Sequence, residues 1–425
     1  MHPHLWHPYT QAKTAPAPLK VKSGQGVWLE LEDGRQIMDC ISSWWVNLHG
    51  HAHPQIAEAI YQQAKTLEQV IFAGFSHDPA EQLAERLVQK LPPNLKRVFY
   101  SDNGSTAVEV ALKMAYQFWA NQNQPRTTFV TFEGAYHGDT VGTMAVGARS
   151  IFSRVFSDWL FDVEAVPFPG TFIGDKTAAE REAEIIAQLK TKCEQTPERY
   201  AGVIIEPLIQ GAGGMQMCRP EFLQALQTLT RAFRIPLIFD EVMTGFGRTG
   251  DWFACLKANV QPDIVCLSKG ITGGFLPLSV TVCTELIYEA FYSDDLLKTL
   301  YHGHSYTANP LGCAAGLASW ELMQAAEPLF QTMDRQHEKH LAGLSDHPKL
   351  QHLRVTGTVA AMDIVSPEDT GYLNSVGPQV RQQALELGLL LRPLGNVLYL
   401  MPPYCITEAE LATVYEKIGM ILDRL

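Results

Sequence analysis

The 425-residue chain is long enough to bury a large core, and 46% apolar with 18% charged residues is the composition of a folded protein, not a disordered one. A formal net charge of −12 argues against a surface built to attract nucleic acid or an anionic bilayer and leaves a small-molecule partner as the default. The N-terminal MHPHLWHPYT lacks the basic-then-apolar order of a secretory signal, no apolar run approaches the roughly 18 residues of a membrane helix, and the eight cysteines contain no C-x-x-C, so reduced thiols in the cytoplasm are expected.

In chain order, VFY (98–100) runs through SDNGST into VEVALKMAYQFW, where Val108, Ala111, Ala115 and Phe118 recur at helical spacing. TTFVTF (127–132) leads into the loop EGAYHGDT. AGVIIE (201–206) precedes a Gly-rich loop and then PEFLQALQTLTRAF, whose Phe222, Leu223, Leu226, Leu229 and Phe233 share one face. PLIFDE (236–241) and DIVCLSK (263–269) follow. Short, continuously apolar strands alternating with amphipathic helices predict an α/β fold around a mainly parallel sheet covered on both faces. No repeat or long linker interrupts the chain. The pattern predicts a large domain over 51–315 and a smaller α+β domain from 316–425, joined by the N-terminal segment 1–50.

Glu206, Asp240 and Lys269 each stand just past the apolar part of one of these strands. Any one of them could simply mark where a strand meets water. Three in succession point to a shared crevice, because ligands of open parallel sheets bind outside the strand carboxyl ends. A lysine there, desolvated and close to other cationic groups, loses its preference for the ammonium form and becomes a usable amine nucleophile. The chemistry that needs such an amine is Schiff-base formation with a carbonyl, above all the aldehyde of pyridoxal phosphate. Asp240 suits the partner of the pyridine nitrogen, and Gly104 and Ser105, at a strand-to-helix turn, suit the phosphate. Tyr136 and His137 offer aromatic faces on which the ring could stack.

Three competing features carry less. GFGRTG (245–250) matches the dinucleotide-binding glycine pattern, but EVMT separates it from its strand and TGDW from any helix. The histidines of HGHAH (49–53) and HGHS (302–305) lack zinc-site spacing and read as loops. A non-catalytic phosphate-binding module would explain the glycines but not Lys269.

The motifs IIEP, IFDEVMTGFGRTG and CLSKGITGG, in that order, make the chain similar over essentially its whole length to class III aminotransferases of the pyridoxal-phosphate fold type I superfamily. WHPYT (6–10), SSWW (42–45), AYHGDT (135–140), QGAGGM (210–215) and YLMPPY (399–404) resemble the branch that serves biotin synthesis, aminating 8-amino-7-oxononanoate with S-adenosylmethionine or, in some members, lysine as donor. The resemblance implies Lys269 as the Schiff-base lysine, Asp240 on the pyridine nitrogen, Tyr136 stacked on the ring, Glu206 as a further cofactor contact, and Gly104 and Ser105 on the phosphate. It implies a homodimer with shared active sites, in which Ser305, four residues before Asn309-Pro310, reaches the neighbouring subunit's phosphate. For the substrates it implies an aromatic wall of Tyr9, Trp44 and Trp45, with Asp139 near the acceptor's amino group, Gly303 as a further contact and Arg392 on the distal carboxylate. The chain departs from the family pattern where His304-Ser305 replaces Pro-Thr and Asn103 replaces Ser.

Overall fold

The computed structural model describes residues 2–368 and 370–425. The strands, in chain order, are β1 (Val21–Gln25), β2 (Trp28–Leu31), β3 (Gln36–Asp39), β4 (Leu95–Ser101), β5 (Thr128–Phe132), β6 (Glu164–Val166), β7 (Tyr200–Ile205), β8 (Ile209–Gln210), β9 (Gln216–Met217), β10 (Leu237–Asp240), β11 (Ile264–Leu267), β12 (Ser279–Thr284), β13 (Leu350–Thr356), β14 (Val359–Ile364), β15 (Leu389–Leu390) and β16 (Val397–Leu400). Seven of them form the central sheet in the order β4-β12-β11-β10-β7-β5-β6. β11, β10, β7, β5 and β6 pair in parallel, while β12 runs against both of its neighbours.

Every residue of β7, β10, β11 and β12 is buried, which accounts for the continuous apolar runs of β7, β11 and residues 237–239 of β10. The helix Gly104–Asn121 packs on β11, β12 and β7 through Ala107, Val108, Ala111 and Ala115. Small residues on this face let the helix lie close. On the other face Phe222, Leu223, Leu226 and Leu229 of the helix Pro220–Ala232 are buried in the larger core cluster, each such side chain contributing about 1.5–3 kcal/mol by leaving water.

The chain ends build the rest. β1, β2 and β3 make an antiparallel sheet to which β15 adds in parallel, with Met38 and Asp39 of β3 opposite Leu389 and Leu390. β13, β14 and β16 form an antiparallel sheet, packed by the helix Met333–Ala342 and followed by the helix Glu408–Arg424, whose start is fixed by a Thr407–Glu410 capping box. The helix Pro310–Phe330 runs across position 315/316 without a break. Seven of the eight cysteines are buried and all are free thiols. No helix among the described residues is long and apolar enough to cross a membrane.

Candidate active site

β7, β10 and β11 are neighbours in parallel register, with Phe239 opposite Ile205 and Asp240 opposite Cys266, so Glu206, Asp240 and Lys269 emerge side by side at one edge. All three line a cavity of about 500 Å³ together with Trp45, Asn103, Gly104, Ser105, Tyr136, His137 and Thr244. The crevice expected from the strand ends is therefore formed.

Lys269 lines this cavity with φ +46°, a left-handed conformation costly for a residue with a Cβ. Burial lowers its proton affinity, against the attraction of Asp240 and Glu206. The cationic neighbours expected from the sequence are thus replaced by carboxylates, and desolvation alone favours the free amine. The ammonium nitrogen stands 5.1 Å from the centre of the Trp45 ring.

Asp240 is held from two sides. Its Oδ1 accepts from the Val242 amide at 3.1 Å, and its Oδ2 lies 2.7 Å from His137 Nδ1. His137 is buried beside the cavity it lines; burial disfavours its charged form, but the hydrogen bond and charge of Asp240, with Glu206 behind it, raise its proton affinity overall. Glu206 accepts from the amides of Tyr136 at 3.0 Å and Gly211 at 2.9 Å, and burial pushes its carboxyl up to about 7. Tyr136 also lines this cavity.

At the start of the helix Gly104–Asn121, Asn103 Oδ1 accepts from the Thr106 amide at 3.1 Å and the Thr106 hydroxyl accepts from the Asn103 amide at 3.1 Å. The amides of Gly104 and Ser105 have no carbonyl one turn back to bond, so they are available to an anion. A Cβ on Gly104 would lie 2.5 Å from Val242, the residue whose amide holds Asp240. A Cβ on Gly138 would lie 2.1 Å from Ser105 Oγ, so that glycine lets the 135–139 loop close over the helix start.

A second cavity of about 350 Å³ shares Tyr136, His137 and Gly138 and extends past Asp139, Phe152 and Tyr372. Its lining residues Phe152 and Tyr372 lie 5.0 Å apart, and behind them Tyr9 lies 5.8 Å from Phe152 and 5.4 Å from Trp44, centre to centre. The Tyr9 hydroxyl donates to Asp139 and is 3.3 Å from that of Tyr136. Burial, then the Asp139 bond, push Tyr9 up to about 12. Arg392 lies 4.8 Å over the Trp44 ring and donates to Tyr372 Oη at 3.3 Å. Trp45, the third residue of the expected wall, lines the first cavity instead of joining Tyr9 and Trp44: it is buried, donates to Tyr399 Oη at 2.9 Å and lies against Lys269. Phe152 and Tyr372 were missed in the sequence because neither stands in a motif or at a strand end.

Gly303 and Ser305 are exposed and lie outside both cavities of their own chain. The Ser305 carbonyl accepts from Gln69, and His304 Nδ1 lies 3.0 Å from Asp102. The N-terminal histidine cluster is structural: His49 bonds Ser319 at 3.1 Å and His51 bonds Asp39 at 3.0 Å.

Comparison with known proteins accounts for this geometry. The sequence profile of the family "Aminotransferase class-III" matches residues 9–422, and the chain belongs to that family. It is a pyridoxal-phosphate-dependent aminotransferase of the α/β fold described above. Among curated relatives, the adenosylmethionine-8-amino-7-oxononanoate aminotransferase of Synechococcus elongatus is 59% identical over 100% of this chain and 99% of its own. The enzyme of that name from Geobacter sulfurreducens is 40% identical, over 96% of this chain and 93% of its own. The crystal structure of the same-named enzyme from Methanocaldococcus jannaschii superposes with a TM-score of 0.92 at 35% identity, covering 99% of this chain and 97% of that one. An amine transaminase from an uncultivated Pseudomonas species, in its pyridoxal-phosphate-bound form, gives a TM-score of 0.91 at 29% identity over 99% and 98% of the two chains.

Proposed function

We propose that this chain transfers an amino group from S-adenosylmethionine to 8-amino-7-oxononanoate, giving 7,8-diaminononanoate for biotin synthesis. The observation that carries this reading is Arg392. Among the described residues its guanidinium has no carboxylate ion-pair partner, yet it is held over Trp44 and donates to Tyr372, which lines the second cavity. Arg381 is close enough that Arg392 adds to the burial that lowers its proton affinity. Two guanidiniums and an aromatic lining suit a long apolar substrate ending in a carboxylate, gripped by paired hydrogen bonds.

Pyridoxal phosphate, when bound, supplies the aldehyde that carries nitrogen between donor and acceptor and the ring that takes up electrons at the substrate carbon. Lys269 would hold it covalently, and the amine it regains on displacement is placed to carry a proton to or from the reacting carbon. Asp240 would meet the pyridine nitrogen, where a carboxylate favours the protonated ring, and His137, with Nδ1 2.7 Å from Asp240 Oδ2, aims it. The Gly104 and Ser105 amides would hold the phosphate. Tyr136 would offer its ring to the cofactor, Glu206 fixes the loop that carries Tyr136, and Asp139 with Tyr9 would meet the acceptor's amino group. Cation–π attraction from Tyr9 and Trp44 would hold a sulfonium or an ammonium donor.

The active unit in this reading is a homodimer in the cytoplasm. Gly303 and Ser305 serve the neighbouring subunit's substrate and phosphate, which agrees with their exposure outside their own cavity and with the exposed Tyr292, Leu296, Leu297, Tyr301 and Tyr306 around them. Residues 51–315 would carry the cofactor, and 1–50 with 316–425 would close over it. Mass spectrometry of holoenzyme incubated with S-adenosylmethionine and the keto acid tests the reaction. Formation of the diamine, dependent on Lys269, is expected; donor turnover without diamine would overturn the acceptor.

A further inference from the structure

The turn SSWW is strained. Ser42, Ser43 and Trp45 have φ of 51°, 59° and 69°, and Trp44 sits at φ −130°, ψ 55°. Successive left-handed residues that carry a Cβ persist only where the surroundings over-determine them. The turn also carries two groups of the site on adjacent residues: Trp45 against Lys269 and Trp44 under Arg392.

What over-determines the turn is Asp39, fully buried at the end of β3 with its amide bonded to the Val27 carbonyl at 2.7 Å. Its Oδ1 accepts from the Ile41 amide at 3.1 Å, and its Oδ2 accepts from the Ser43 amide at 2.6 Å and the Ser43 hydroxyl at 2.9 Å. His51 Nε2 lies 3.0 Å from the same oxygen, while His51 Nδ1 faces the Asn47 side-chain amide at 2.8 Å. Because Asn47 Nδ2 can only donate, Nδ1 must accept, so His51 is the tautomer that gives its Nε2 proton to Asp39. Four donors thus converge on one carboxylate. The other side of the turn is tied by Ser42 Oγ to the Met401 carbonyl at 2.8 Å and by Trp45 to Tyr399.

We propose that Asp39, with His51 oriented behind it, is a positioning residue of the active site: its carboxylate fixes the strained 41–45 turn and thereby sets Trp45 against the lysine amine and Trp44 beneath Arg392. The role of Trp44 in acceptor binding rests on the function proposed above; the placement of the two indoles does not.

Asp39→Asn is the discriminating change, because it keeps size and the acceptor for Ile41 while setting an NH2 group against the donors of Ser43 and His51. Ser43→Ala removes one of the bonds and serves as the milder variant. In holoenzyme labelled with 5-fluorotryptophan, the resonances of Trp44 and Trp45, assigned with Trp44→Phe and Trp45→Phe, should shift or broaden in Asp39→Asn and less so in Ser43→Ala. The other six of the eight tryptophans should stay in place. In the same samples KM for the keto acceptor should rise by about 10-fold while kcat changes by less than about 3-fold, the pattern of lost binding without lost chemistry. Unmoved Trp44 and Trp45 resonances, or equal movement of all eight, would overturn the proposal. Movement of the two with an unchanged acceptor KM would uphold the positioning role and sink the placement of the acceptor against Trp44.

Discussion

His137 Nδ1 lies 2.7 Å from Asp240 Oδ2, and neither side chain has more than a trace of solvent contact. The two come from elements separated by β7 in the sheet, and the hydrogen bond and charge of Asp240 raise the proton affinity of His137 against the cost of its burial. His137 in turn pins one oxygen of the carboxylate on the wall of the cavity.

Asp240→Asn should bind cofactor and lose most of the half-reaction rate, because the amide cannot hold the pyridine nitrogen protonated. A loss of at least about 100-fold, or ~2.7 kcal/mol of barrier, is expected in single-turnover traces. His137→Asn should lose less. Rates near wild type for Asp240→Asn would remove it from the ring nitrogen.

Purified protein should be yellow, and borohydride reduction should fix the chromophore to the peptide containing Lys269. Lys269→Ala should keep the fold and lose covalent attachment. Peptide mapping decides the point; label on any other lysine would refute the assignment.

Arg392→Ala should slow the acceptor half-reaction more than the donor one, since only the acceptor ends in a distal carboxylate. A loss of about 1.5–3 kcal/mol in acceptor kcat/KM, the range of a charge-assisted hydrogen bond, is expected. Mixing the yellow enzyme separately with S-adenosylmethionine and with lysine identifies the donor. Bleaching by S-adenosylmethionine is expected, and bleaching by lysine alone would reassign the donor while leaving the aminotransferase chemistry in place.

Burial moves Glu206 from its ordinary 4.5 to about 7. Between these values the folded protein retains a proton that the unfolded chain has lost, so stability declines as pH rises through that window and the loss is complete above it. For cofactor-free protein the effect is at most about 3 kcal/mol. Calorimetry from pH 5 to 8 should show Tm falling in the wild type and falling less in Glu206→Gln. Parallel curves would assign the slope elsewhere, Glu241 being the first candidate because burial pushes it to about 7 as well.

The central sheet and the crevice at its strand ends were legible in the sequence because their signals are local. A buried parallel strand is a continuous apolar run, and the charged residue that ends it marks the crevice, as at Glu206, Asp240 and Lys269. The helix start that carries Gly104 and Ser105 is likewise written in one stretch, Asn103 to Thr106. What stayed hidden was pairwise. Nothing in AYHGDT says that His137 bonds Asp240 while Tyr136 meets Tyr9, and nothing in SSWW says that Trp45 turns to Lys269 and Trp44 to Arg392, since that depends on the left-handed backbone of Ser42, Ser43 and Trp45. Phe152 and Tyr372 meet at the second cavity only through folding of distant loops.

The tie between Trp45 and Tyr399 spans most of the polypeptide. The indole that faces the Lys269 amine is thus seated by a residue from the opposite end of the chain, so a change at Tyr399 reaches the surroundings of the amine without touching it.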